Sequence, residues 1–116
     1  ATGSSDGHVA FNNADSKLKQ KTHITKLSIN TRTDNMKTFS QFNNISEVPK
    51  YGLTVGLHTI CSLSNKAILV MTGKEKKYAL KKLIFKKKFT KSWPSSIIYK
   101  CKNAKIYIDK KANINL

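Results

Sequence analysis

A chain of 116 residues, 39% of them hydrophobic, has room for one domain that buries roughly two-thirds of its unfolded surface. No apolar run is long enough to span a bilayer and nothing at the N-terminus reads as a signal peptide, so the expectation is a cytoplasmic protein without a membrane partner. The formal net charge of +16 would suit a polyanion binder, but Arg32 is the only arginine among 22 basic residues. Readers of bases and phosphates lean on the arginine fork. The joint richness in Lys, Asn and Ile is also the bias of an AT-rich coding sequence, and nucleic acid is not expected as a partner.

The first informative stretch is Gly3-Ser4-Ser5-Asp6-Gly7-His8-Val9-Ala10-Phe11-Asn12. Small, turn-prone residues let the backbone bend tightly and approach a ligand. Asp6 and His8 flank Gly7, and a carboxylate beside an imidazole can fix its tautomer for acid–base work. Val9, Ala10 and Phe11 would anchor the loop on a core. The rival reading is a surface turn with an unrelated histidine.

Ala14 to Lys21 reads as a loop, and Thr22 to Ile29 alternates as a short strand. Thr31 serves as the expected N-cap of a helix that carries Met36 and Phe39 and ends near Phe42, with Asp34 favouring its first turn. After a loop over Asn43 to Pro49, Tyr51 to Gly56 reads as a strand broken by glycine. Gly56 lies at a strand-to-helix turn, because Leu57, Ile60, Cys61 and Leu63 follow at helical spacing. Ala67-Ile68-Leu69-Val70-Met71 is the best candidate for a buried parallel strand.

Thr72 to Lys76 then turns into a helix whose apolar face is Ala79, Leu80, Leu83 and Ile84. A strand, a glycine turn and a lysine-bearing helix start form a natural anion site, although the glycine spacing is not that of a Walker loop. The lysine run Lys81, Lys82, Lys86, Lys87, Lys88 and Lys91 reads as a solvated face. Phe85 and Phe89 flank it, but Leu83 and Ile84 look like core and no stacking platform is evident. Trp93-Pro94 opens another segment with Pro94 in a first helical turn, and Lys105 to Asp109 is a last strand. Cys61 and Cys101 fit no zinc or disulfide framework, and His8, His23 and His58 are scattered, so neither metal nor other cofactor is expected. Strands alternating with helices predict an α/β layer with a mainly parallel sheet, with ligands at the carboxyl ends of its strands.

Asp6-Gly7-His8-Val9-Ala10-Phe11-Asn12, Thr31-Arg32 with Asn35, Val48 to Gly56, Gly73 with Lys76, and Trp93-Pro94 to Asp109 occur in the order and spacing of a known family. The chain resembles the glucosamine-6-phosphate deaminase/isomerase family, and its Ser-Asp-Gly-His form is closest to a sugar-phosphate isomerase-like branch. The resemblance implies a Rossmann-like α/β domain of which residues 1–116 form the C-terminal half. The N-terminal half, with its glycine-rich sugar-phosphate loop and proton-abstracting aspartate, would be missing.

By that resemblance His8 catalyses ring opening, Asp6 orients it, and Gly7, Lys37 and Lys76 bind substrate, with Lys76 on the phosphate. The reaction implied is conversion of glucosamine 6-phosphate to fructose 6-phosphate and ammonia. Its partners are a small sugar phosphate and either a second copy in a homo-oligomer or a separate N-terminal half chain. Two departures stand out. Asn13 occupies the place of a glutamate, and an amide cannot take up or release that proton. Lys37 occupies the place of an arginine, which keeps the charge and loses the fork. The rival classes are a small basic nucleic-acid-binding protein and an inactive truncated gene product.

Overall fold

The computed structural model describes residues 2–115. In chain order they form β1 (His23–Lys26), α1 (Ile29–Thr38), β2 (Tyr51–Thr54), α2 (Leu57–Ser62), β3 (Ile68–Met71), α3 (Lys77–Lys86) and β4 (Lys105–Ile108). Short 3-10 turns cover Ile45–Glu47, Lys74–Lys76 and Pro94–Lys100. The expected strands and helices are present with shifted ends: Ile29, expected in the first strand, opens α1, and the Pro94 segment is a 3-10 helix.

The sheet differs from expectation. In place of one mainly parallel sheet there are two pairs: β1 with β2, antiparallel, and β3 with β4, parallel. Counting elements suggests crossovers, but α1 and the turn after it make a U-shaped excursion that returns β2 beside β1. Leu27 N–H donates to the Lys50 carbonyl at 2.8 Å, extending the ladder past both strands. Arg32 fastens the excursion from inside, donating from Nη2 to the Ile45 and Val48 carbonyls at 2.6 and 3.0 Å. The single arginine is thereby committed to backbone.

The N-cap of α1 is Ser28, not Thr31. Ser28 Oγ accepts the Thr31 N–H at 3.1 Å, a cap contributing about 1 kcal/mol, and Thr31 lies buried in the first turn. The helix stops at Thr38, short of Phe42.

The core gathers Leu69, Met71, Ala79, Leu80, Leu83, Trp93 and Ile98. The apolar stripe of α3 supplies three of these, and burying each leucine contributes about 2 kcal/mol. β3 is buried on one face only. Leu69 and Met71 point to the core, while Ile68 and Val70 are 50% and 48% exposed. Tyr107, paired with Val70 on β4, shares that open face. No helix is long and apolar enough to cross a membrane among the described residues.

Candidate functional site: an acid–imidazole pair beside a lysine-lined cavity

The loop from Gly3 to Asn12 is held at both ends. Gly3 N–H donates to the His8 carbonyl at 2.8 Å, and Asn12 N–H to the Val9 carbonyl at 2.9 Å. Phe11 N–H donates to Thr54 Oγ1 at 2.9 Å, and Asn12 Nδ2 to the Val55 carbonyl at 2.7 Å. The exit of β2 therefore supports the loop, which sequence spacing does not reveal. Gly7 has φ +66°, and a Cβ there would meet the Trp93 indole. Its carbonyl accepts the Ser95 N–H at 2.8 Å. Gly7 thus seats the loop on Trp93 and is not among the residues that line the cavity.

The expected pair forms. His8 Nδ1–H donates to Asp6 Oδ1 at 2.8 Å, and His8 N–H reaches the same oxygen at 3.1 Å. An ionised carboxylate only accepts, so the proton sits on Nδ1 and leaves Nε2 as the ring's free nitrogen. Both side chains are mostly buried. Thr31 Oγ1 stands 3.4 Å from Nδ1 and donates toward Asn13 Oδ1, also at 3.4 Å. Asn13 Nδ2 donates to the Lys26 carbonyl at 3.3 Å. Asn13 is therefore linked to the histidine through a buried hydroxyl.

His8 faces a cavity of about 570 Å³ that Lys37 and Lys76 also line. Lys76 closes the turn after Gly73, and its Nζ donates to the Thr2 carbonyl at 2.7 Å. The turn is fixed from behind. Asp109 accepts from Ala112 N–H at 2.7 Å and from Gly73 N–H at 3.1 Å. The Ala112 bond, with the Gly73 bond adding to it against partial desolvation, holds the Asp109 carboxyl below its ordinary value. Of the five expected residues, His8, Lys37 and Lys76 line the cavity, and Asp6 stands behind His8 as its hydrogen-bond partner. Sequence reasoning did not place Asp34, Asn35 and Glu75 on this cavity, which they line; α1 brings the first two there.

Elsewhere, Cys61 and Cys101 are free thiols between α2 and the 3-10 segment. Burial, then the neighbouring Cys61, pushes the Cys101 thiol up. Among the described residues no group of three or more His, Cys, Asp or Glu is placed to hold a metal.

The α/β frame has a counterpart among solved structures. A solved monomeric glucosamine-6-phosphate deaminase of the NagB superfamily superposes with a TM-score of 0.83 at 33% identity, over 92% of this chain and 42% of that one. The chain is homologous, along 92% of its length, to the glucosamine-6-phosphate deaminase/isomerase family. It is 36% identical over 107 residues to glucosamine-6-phosphate isomerase of Candida albicans and 33% over 107 to glucosamine-6-phosphate deaminase 1 of Bacillus subtilis. It is 38% identical over 111 residues to the deaminase of Borreliella afzelii. The chain spans about 42% of the length of the first two relatives and 40% of the third. No family model matches it.

Proposed function

We propose that this chain carries the ring-opening and phosphate-holding part of a cytoplasmic enzyme acting on an amino-sugar phosphate. The reaction converts glucosamine 6-phosphate and water to fructose 6-phosphate and ammonia. The observation that carries the reading is the Asp6–His8 pair at a cavity also lined by Lys37 and Lys76. Ring opening needs a proton delivered to the ring oxygen while another leaves the anomeric hydroxyl. An imidazole held as the Nδ1–H tautomer can exchange both through Nε2. Two ammonium groups supply the charge for a phosphate dianion, as point charges without a fork. The base that removes the proton at the second carbon is not assigned to this chain; by resemblance it would belong to the part of the family domain outside the match. Asn13 cannot carry the proton that a glutamate would, so the proton transfers assigned to this chain rest on His8.

The test is ligand-observed NMR of the chain with glucosamine 6-phosphate and with unphosphorylated glucosamine. Selective binding of the phosphorylated sugar, lost in Lys37→Ala and Lys76→Ala, is expected. Equal binding of both sugars would contradict the reading.

A further inference from the structure

The outer face of α3 takes no part in the site just described. Ala79, Leu80 and Leu83 point to the core, so Tyr78, Lys81, Lys82 and Phe85 share the opposite side at helical spacings of three, four and seven. Tyr78 is 52% and Phe85 67% exposed. Lys82 Nζ stands 5.3 Å from the centre of the Tyr78 ring, and Lys81 Nζ 5.8 Å from that of Phe85. A cavity of about 390 Å³ runs along these four side chains and Lys86. A second, of about 250 Å³, adds Lys88 and the Thr90 and Ser92 side chains beside Tyr78 and Lys82. No acidic residue occurs between Glu75 and Asp109, so nothing on this segment neutralises the lysines.

Lysines alone would be a solvated face, as expected from the sequence. The rings alter that. Phosphates alone have no use for exposed aromatics, whereas an unpaired strand presents charges and π-faces in alternation. Tyr78 and Phe85 lie about 10 Å apart along the helix axis at 1.5 Å per residue, a span that unstacked nucleotides can bridge. A duplex keeps its base faces stacked and gains only the charge term.

We propose that this face binds single-stranded nucleic acid without sequence preference, with bases on Tyr78 and Phe85 and phosphates on Lys81, Lys82, Lys86 and Lys88. In sequence the lysines are flanked by Phe85 and Phe89. Phe89 is half-buried, and the second exposed ring is Tyr78.

The test is fluorescence anisotropy of the full chain with labelled oligo(dT), oligo(U) and a matched duplex, at several salt concentrations, with inorganic polyphosphate as a competitor. Tyr78 meets Trp93 edge-on at 5.8 Å, so Tyr78→Ala risks the fold. Phe85→Ala carries the test, with Phe85→Trp as the conservative control and far-UV circular dichroism for each. Phe85→Ala should weaken single-strand binding by about tenfold, the range of one lost base stack, while polyphosphate competes unchanged and Phe85→Trp binds as the parent. Lys82→Ala should lower the salt slope for the single strand by about 0.7. Unchanged single-strand affinity in Phe85→Ala, or equal affinity for strand and duplex, would overturn the proposal.

Discussion

Lys76 donates from Nζ to the carbonyl oxygen of Thr2 at 2.7 Å, across 74 residues of sequence. The bond joins the loop that carries His8 to the turn after Gly73, and it holds an ammonium at the wall of the cavity. Lys77, one residue on, is exposed and lies outside the cavity. Lys76→Ala should therefore raise the dissociation constant for glucosamine 6-phosphate by about tenfold or more, in the range for a lost charged hydrogen bond, and Lys77→Ala should leave it unchanged. Calorimetric titration of the two variants checks this; equal constants would remove Lys76 from the site.

The Gly73 turn should weaken in acid. The folded Asp109 carboxyl lies below its ordinary value because Ala112 and Gly73 donate to it. A depressed carboxyl gives stability that is present above its unfolded pKa and is lost as pH falls through the folded one. Thermal melts should thus show the parent losing stability below the ordinary aspartate range, with Asp109→Asn less stable at neutral pH and less sensitive to that acid step. Parallel pH profiles for parent and variant would contradict the assignment.

At Gly7 both backbone and space forbid a side chain. With φ at +66° and the Trp93 indole where a Cβ would stand, Gly7→Ala should cost about 1–3 kcal/mol. At about 4–8 °C per kcal/mol for a domain near this size, the melting temperature should fall by several degrees or more. A melt unchanged within a degree would show that the loop does not rest on Trp93 in solution.

The open face of β3 and β4 should make the chain associate. Ile68, Val70 and Tyr107 are exposed together, and an uncovered apolar face invites contact. Sedimentation velocity should show concentration-dependent association, which Val70→Lys suppresses without lowering the melting temperature, since the side chain leaves no core contact behind. A monomeric parent at all concentrations would contradict this.

What could be read from the sequence was mostly local. Asp6 and His8 are two residues apart, so their contact needed only a bend at Gly7. Ile68 to Met71 follows from its continuous apolar run, and the stripe of α3 from periodicity. What failed was choice between equivalents and anything distant. Ser28 and Thr31 carry the same capping chemistry, and only the end of β1 decides between them. The antiparallel return of β2 comes with Arg32 bound to two carbonyls of the excursion, which element counting cannot foresee. Lys37 and Lys76 share a cavity because α1 and the Gly73 turn converge, and only resemblance hinted at it. The seating of Gly7 against Trp93 depends on a residue far along the chain.

The central claim is that His8 transfers protons during sugar ring opening. It is tested most directly on one sample of His8→Gln, in the chain complemented by the remaining part of a family domain, by measuring turnover and melting temperature together. The account predicts turnover of the cyclic sugar phosphate lower by on the order of a hundredfold or more, the range for lost acid–base catalysis, with the melting temperature and phosphate affinity nearly kept. A variant that melts early yet turns over normally when folded would contradict it.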